Sequence, residues 1–215
     1  MPNVIKIARV LGITAVILIY ALLVHHVNTS GQASALGAIV ALAPILLLII
    51  TYALNTKLRV AGISALLVFF AVSWLTWPLV KAHTSLIFWM LDIGLMSALL
   101  MTFAQSLFLG RKPLCVHFAE IINGGTLPPD HENYARKVTV AWVIFFAMII
   151  IISTLLFFFS SLAIWSFFVN FLTLPLVALM FVAEFMLRKR LLADLPTGHM
   201  LDAVQAYLNN SKRAR

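Results

Sequence analysis

The chain has 215 residues, of which 63% are hydrophobic and 10% are charged, and its mean hydropathy is +1.05. Soluble domains are about 45–50% apolar and about 25% charged, so this composition excludes a soluble globular domain and indicates an integral membrane protein. Fifteen Lys and Arg residues against seven Asp and Glu give a net charge of +8. Because these cations flank long apolar runs, they favour contact with anionic lipid headgroups over nucleic acid.

Six continuous apolar segments are long enough to cross a bilayer. A helix needs about 20 apolar residues to do so, and unbroken rather than alternating segments favour helices over strands. We therefore expect an all-α bundle with transmembrane helices over residues 5–24, 36–54, 60–80, 84–109, 138–159 and 162–187. Residues 1–190 are predicted to form one domain, and residues 191–215 a cytoplasmic basic tail with a short helix.

The distribution of Lys and Arg between the loops predicts the orientation. Fourteen of the fifteen lie on one side of the six-helix arrangement, and only Lys81 lies on the other. By the positive-inside rule, the crowded side faces the cytoplasm. Both termini are therefore predicted to be cytoplasmic.

The longest predicted loop, residues 110–137, contains a short amphipathic helix. Pro113 can begin this helix, and Gly124 and Gly125 can end it. His117 and Glu120 share one face, and the opposite face carries Leu114, Cys115, Phe118, Ile121 and Ile122. The pattern predicts a helix on the inner membrane surface.

Asp92 lies inside the fourth predicted span, where an ionisable group is costly. Counted from the outer helix ends, its depth matches those of Asn170 and Ser73, so the three are candidates for one polar cluster. A neutral, hydrogen-bonded Asp92 would be structural. The open alternatives are a proton-coupled site and an extracytoplasmic catalytic acid.

Glu184 is the second acidic residue within a predicted span. Counting equally from the Ser160–Ser161 turn places it level with Arg136 and Lys137, which predicts an ion pair between the fifth and sixth helices. The alternative is a contact with a headgroup or substrate.

Polar residues recur on one face of each of these spans, and Pro175 predicts a kink in the sixth. They are Arg136, Thr139, Trp142 and Ser153 in the fifth span and Ser166, Asn170, Thr173 and Glu184 in the sixth. Such groups join helices or line a cavity for a polar headgroup.

No metal site or cofactor is predicted. His25 and His26 are adjacent, so on a helix their side chains diverge by about 100°. A metal site built from Cys115, His117, Asp130 and His131 would require the amphipathic helix to be absent.

Residues 113–190 carry a series of motifs. These are Pro-Leu-Cys-x-His-Phe-Ala at 113–119, Gly-x-Leu-Pro-Pro at 125–129, Tyr-x-Arg-Lys-Val-Thr-x-x-Trp-x-x-Phe-Phe at 134–146, Trp-x-x-x-x-Asn-x-x-Thr-x-Pro-Leu at 165–176, and Met-Phe-x-x-Glu-x-x-x-Arg-x-Arg at 180–190. This region resembles a family of uncharacterised small bacterial inner-membrane proteins associated with aryl-polyene pigment biosynthesis gene clusters. The resemblance implies a multi-pass protein of the bacterial inner membrane, close to enzymes that build a lipid-like polyene, and it supplies no catalytic residue.

The leading hypothesis is a non-enzymatic accessory or scaffold protein for lipid-like biosynthesis. Its expected partners are membrane lipids and cytoplasmic biosynthetic enzymes or an acyl carrier protein, with no nucleic acid, and a homo-oligomer is open. The candidate docking residues are Arg111, Lys112, His117, Glu120 and Tyr134. The alternatives are a small transporter or flippase, and an intramembrane enzyme acting on an acyl or polyprenyl chain.

Overall fold

A computed structural model describes residues 2–30, 34–56, 58–108 and 110–191. Within these ranges all regular structure is helical. The helices are α1 (Pro2–Ser30), α2 (Ala35–Asn55), α3 (Arg59–Leu75), α4 (Trp77–Ala82), α5 (Thr84–Ser106), α6 (Leu114–Asn123), α7 (Pro129–Phe159), α8 (Leu162–Phe167) and α9 (Thr173–Leu191). A π-helical turn, Phe168–Leu172, joins α8 to α9. The predicted tail helix falls outside the described residues.

Five helical segments of the described chain are long and apolar enough to cross a membrane. They are Ala8–Ser30, Ala35–Asn55, Thr84–Ser106, Pro129–Phe159 and Leu162–Leu191. The length and composition of these segments confirm the expectation of a helical, multi-pass membrane protein. Six spans and their orientation stay predictions.

The third predicted span, residues 60–80, is not one helix. The 17-residue α3 ends at Leu75, and α4 begins at Trp77 after Thr76 leaves the helical conformation. Pro78 stands in the first turn of α4, where its missing N–H costs no hydrogen bond, whereas in the middle of a helix it would. The break is therefore a consequence of Pro78.

The described chain divides into two compact units. The first unit comprises Met1–Asp92 and Ser153–Thr173, and the second comprises Ile93–Ile152 and Leu174–Arg215. The expectation of a single domain over residues 1–190 stays a prediction.

The core of the first unit forms where α1, α2, α5 and α8 supply apolar side chains. Its buried members are Val24, Val27, Ala41, Phe88 and Trp165. The helices approach closely at small residues: a Cβ added to Gly37 would lie 2.8 Å from Cγ1 of Val27. Burial of Trp165, which has no exposed surface, makes α8 a central element of this unit.

The second unit contains the amphipathic helix expected in the long loop. α6 ends at Gly124, whose φ of 71° is left-handed, a conformation that glycine adopts without a steric penalty. On α7, Trp142 and Phe146 are buried and stack on each other with ring centroids 5.4 Å apart. These aromatic contacts form the packed part of α7 in this unit.

The irregularity expected near Pro175 takes the form of the π-helical turn. A proline cannot donate to the carbonyl four residues earlier and its ring crowds that carbonyl, and a π turn changes the hydrogen-bond register just before it. Thr173 Oγ1 donates to the carbonyl oxygen of Phe168 at 3.2 Å, so the turn is also held by a side chain.

Candidate functional site

Asp92, Ser153 and Trp165 form one buried chain of hydrogen bonds in the first unit, here called the Asp92 network. Ser153 Oγ donates to Asp92 Oδ2 at 2.6 Å, and Trp165 Nε1 donates to Ser153 Oγ at 3.1 Å. Ser153 and Trp165 are fully buried. A serine hydroxyl has one proton to give, so the proton of Ser153 is committed to Asp92. The carboxyl group is thereby joined to α7 and, through Ser153, to α8.

A second set of contacts in this unit, the His25 network, consists of His25, Ser166 and Asn170. His25 Nδ1 and Ser166 Oγ are 3.3 Å apart. Asn170 Nδ2 donates to the Ser166 hydroxyl at 3.2 Å and to the Ser166 carbonyl at 2.8 Å. The imidazole also meets Phe171 edge to face, with centroids 5.5 Å apart. The network joins α1 to α8 and the π turn.

The predicted cluster of Asp92, Asn170 and Ser73 is not formed by direct contact. Asp92 binds Ser153 and Asn170 binds Ser166, and no hydrogen bond in the described ranges joins any two of the three predicted members. Ser73 is half-buried in α3. Side chains at equal depth in the membrane meet only where their helices are neighbours and the side chains face each other. Position along the sequence predicts depth alone.

The partner that was missed, Ser153, carried a usable signal. It lies seven residues before Ser160 at the turn between α7 and α8, and Asp92 lies eight residues after Thr84 at the start of α5. The same depth count that selected Asn170 would therefore have selected Ser153. Nothing in the sequence pattern singled out Trp165 or His25 as their hydrogen-bonding neighbours.

Glu184, in the second unit, has a different partner from those predicted. Its Oε1 lies 3.5 Å from Nε of Arg188, four residues later on α9, and Tyr134 Oη donates to its backbone carbonyl at 3.1 Å. Arg136 and Lys137 are both exposed. Neither residue pairs with Glu184 because of its angular position, or helical phase, around the axis of α7.

The buried face of α7 shows this phase directly. It carries Ala135, Thr139 and Trp142. Lys137 stands about 200° around the helix from Ala135, and Arg136 about 100°. Of the polar residues expected on one face of this helix, Thr139, Trp142 and Ser153 are buried and Arg136 is not.

The first turn of α6 is anchored by hydroxyl groups from other helices of the second unit. The backbone N–H of Leu114 donates to Ser106 Oγ at 2.9 Å, and that of Cys115 donates to Thr139 Oγ1 at 3.2 Å. Thr139 is fully buried, and its hydroxyl donates in turn to the Ala135 carbonyl. Two of the N–H groups that a helix start leaves unpaired are thus satisfied.

α6 packs against the protein through a residue outside its predicted membrane-facing side. Val116, which lies off the predicted apolar face, is fully buried, whereas Phe118 on that face is 40% exposed. Cys115 is half-buried, and this burial raises the pKa of its thiol. The helix therefore packs through Val116 and presents His117 and Phe118 outward.

Charged side chains lie on α6, just before it and near the start of α7 in the second unit. Lys112 Nζ donates to both carboxylate oxygens of Glu120 at 2.8 and 2.9 Å, and this hydrogen bond raises the pKa of Lys112. Arg111, Arg136 and Lys137 are exposed. We call Arg111, Lys112, Arg136 and Lys137 the basic residues of the second unit.

Comparison with known protein families, curated proteins and solved structures identifies no relative. No protein-family model, curated protein or solved structure matches the chain. In the part of the chain that the structure covers, no three His, Cys, Asp or Glu side chains are grouped so that they could hold a metal ion.

Proposed function

We propose that this protein is a non-enzymatic accessory protein of the bacterial inner membrane that holds a cytoplasmic lipid-assembly complex at the membrane. The observation that carries the proposal is the anchored helix α6. Its start is fixed by Ser106 and Thr139 and its Val116 is buried, while Phe118 and His117 stay outward. An element that is ordered in advance loses little entropy on binding a partner.

The proposal includes six transmembrane helices with both termini in the cytoplasm. In it α3, with 17 residues, is the third span, since 17 is the lower end of the range of about 17–25 residues that a spanning helix needs. The basic residues of the second unit then face the cytoplasm, as the positive-inside rule requires.

The exposed residues of α6, of the segment before it and of the start of α7 suit an acidic partner with an apolar contact patch. Exposed Arg111, Arg136 and Lys137 supply positive charge, and Phe118 supplies an aromatic anchor. Charges at the rim of an interface steer association, and aromatic residues, Phe among them, are enriched in protein interfaces. An acyl carrier protein or a peripheral biosynthetic enzyme has the required charge and setting, and the resemblance of residues 113–190 suggests aryl-polyene synthesis as the pathway.

The test is a crosslinking pull-down from native membranes, comparing the wild type with Arg111→Glu. We expect the variant to lose its cytoplasmic partners while its membrane abundance stays unchanged. Arg59→Glu is the matched control, because it makes the same charge change at another exposed arginine, at the start of α3. Partners retained in Arg111→Glu, or lost equally in Arg59→Glu, would contradict the proposal.

A second candidate function is a proton-coupled transporter or flippase of a lipid-like molecule. It is favoured by Asp92 and His25, which are ionisable and form hydrogen bonds between helices within membrane-spanning segments, and by the π turn beside Asn170, since such turns are frequent at functional sites. On this reading Asp92→Asn abolishes substrate movement in a vesicle assay with a proton gradient. Unchanged movement in Asp92→Asn would exclude it, and unchanged partner capture in the same variant is what the scaffold requires.

A further inference from the structure

We propose that a cavity in the first unit, beside the start of α5, binds the headgroup of a phospholipid that carries a terminal N–H or O–H donor. The cavity has a volume of about 280 Å³. Its polar lining comes from Asn28, Lys81, His83, Thr84 and Ser85. It lies apart from the Asp92 and His25 networks, none of whose residues line it.

One part of this lining suits an anion. Within the described ranges, the ammonium group of Lys81 takes part in no ion pair or hydrogen bond. The 23-residue helix α5 begins at Thr84, and the first N–H groups of a helix have no partner within it and carry the positive end of its dipole. A helix N-terminus next to a lysine is a site for a phosphate group.

Another part of the lining needs a donor. Asn28 is 3% exposed, and its Nδ2 donates to the Val24 carbonyl at 2.8 Å. Its Oδ1 is buried and has no hydrogen-bond partner among the described residues. Buried polar atoms of native proteins are almost always paired, so the unpaired carbonyl oxygen points to a ligand that brings an N–H or O–H.

The remaining lining is apolar and comes from Val27, Phe157, Leu162 and Leu86. The cavity also lies at the end of α1 and the start of α5, two helices long enough to cross a membrane. A ligand with a phosphate, a donor and an attached apolar chain satisfies all three parts. Phosphatidylethanolamine has this chemistry, whereas phosphatidylcholine lacks the donor.

Lys81 is also the exception in the charge pattern. In the six-helix arrangement, it is the one Lys or Arg on the side opposite to the other fourteen. Retaining a cation there opposes the positive-inside bias, which is consistent with a role in binding. The orientation proposed above decides only which leaflet supplies the lipid; the cavity and its chemistry stand without it.

The experiment uses the purified full-length protein, delipidated in a neutral detergent, with binding measured by native mass spectrometry. The probes are dioctanoyl-phosphatidylethanolamine, dioctanoyl-phosphatidylcholine and inorganic phosphate. We expect the wild type to bind the ethanolamine lipid about tenfold more tightly than the choline lipid, as one lost hydrogen bond to a buried group predicts. Equal affinity for the two lipids would overturn the proposal, and this comparison needs no variant to fold.

Two substitutions separate the parts of the site. Lys81→Ala should weaken binding of both lipids about tenfold, with recovery in Lys81→Arg. The control Lys189→Ala, which removes an exposed lysine on α9, should change nothing. Asn28→Leu should remove the preference for ethanolamine over choline.

The remaining outcomes each count against the proposal. Unchanged lipid binding in Lys81→Ala, or an effect of equal size in Lys189→Ala, would overturn it. Phosphate bound as tightly as the lipid would show that the source is free phosphate and not a lipid. Because no protein partner is present, failure here leaves the scaffold proposal intact.

Discussion

The two units use their buried polar groups differently. In the first unit, two buried serines bond to side chains far away in the sequence: Ser153 to Asp92, 61 residues apart, and Ser166 to His25, 141 residues apart. In the second unit, the buried hydroxyls of Ser106 and Thr139 pair instead with backbone N–H groups at the start of α6.

The two kinds of hydrogen bond have different structural roles. Side-chain bonds between spanning helices specify which helices are neighbours. Hydroxyls that cap a helix start specify where one short helix begins and which surface it exposes. Substitutions in the first unit should therefore lower the stability of the helix bundle, and those in the second should loosen α6 locally.

The largest expected effect is that of Trp165→Ala. The side chain is fully buried and donates to Ser153, so its removal should cost about 3–5 kcal/mol of unfolding free energy. The measurement is denaturation in mixed micelles. Trp74→Ala is the control, since Trp74 is 87% exposed, and an equal loss in both variants would contradict the assigned role of Trp165.

Ser153→Ala should have a smaller effect on the same unfolding free energy. It removes two interhelical hydrogen bonds, and such bonds contribute about 0.6 kcal/mol each on average and about 1.7 at most, so we expect a loss of about 1–2 kcal/mol. Ser64→Ala, whose hydroxyl bonds only its own helix, should be near neutral. A double-mutant cycle with Asp92→Ala that gave additive losses would show that the Ser153–Asp92 bond contributes nothing.

Thr139→Val should act on α6 alone. It removes the acceptor for the Cys115 N–H with little change of shape, and loss of such a cap costs about 1 kcal/mol. Hydrogen–deuterium exchange over α6 should therefore accelerate about fivefold. Thr102→Val, which removes a hydroxyl that bonds only its own helix, should leave α6 unchanged, and slow exchange in both variants would exclude the anchoring role.

The smallest expected effect is on the reactivity of Cys115. Burial raises the pKa of this thiol, and only the thiolate reacts with maleimide, so at a given pH less of it is reactive than in an exposed cysteine. The alkylation rate should therefore still rise at alkaline pH where that of an exposed cysteine has levelled off. His117→Cys in a Cys115→Ser background provides the exposed reference, and identical pH profiles would contradict the burial of Cys115.

The sequence allowed the features that depend on composition and local chemistry to be predicted. Runs of apolar residues predicted the long helices, and Gly124 predicted the end of α6 because glycine adopts the left-handed conformation there. Ser160 and Ser161 predicted the turn before α8, where the Ser161 hydroxyl accepts from the Ile164 N–H.

Features that depend on helical phase and on helix neighbours could not be predicted. Hydropathy alone does not say which side of α7 is buried, so the sequence pattern predicts Arg136 as a partner of Glu184 although this arginine is exposed. The number of residues from a helix end predicts depth in the membrane but not which helices touch. It therefore predicts Asn170 as a neighbour of Asp92, where the structure has Ser153. The break at Thr76 is not predicted by hydropathy, because Pro78 interrupts the helix while the apolar run continues.

Sidedness is the claim on which the docking surface depends, and it decides which leaflet supplies the lipid. Cysteine labelling in intact cells tests it most directly. In a Cys115→Ser background, His83→Cys and Lys189→Cys place single thiols at exposed positions on opposite proposed sides. An impermeant maleimide should label His83→Cys in cells whose outer barrier alone is opened, and Lys189→Cys only after the inner membrane is disrupted. The reverse order of labelling would contradict the account.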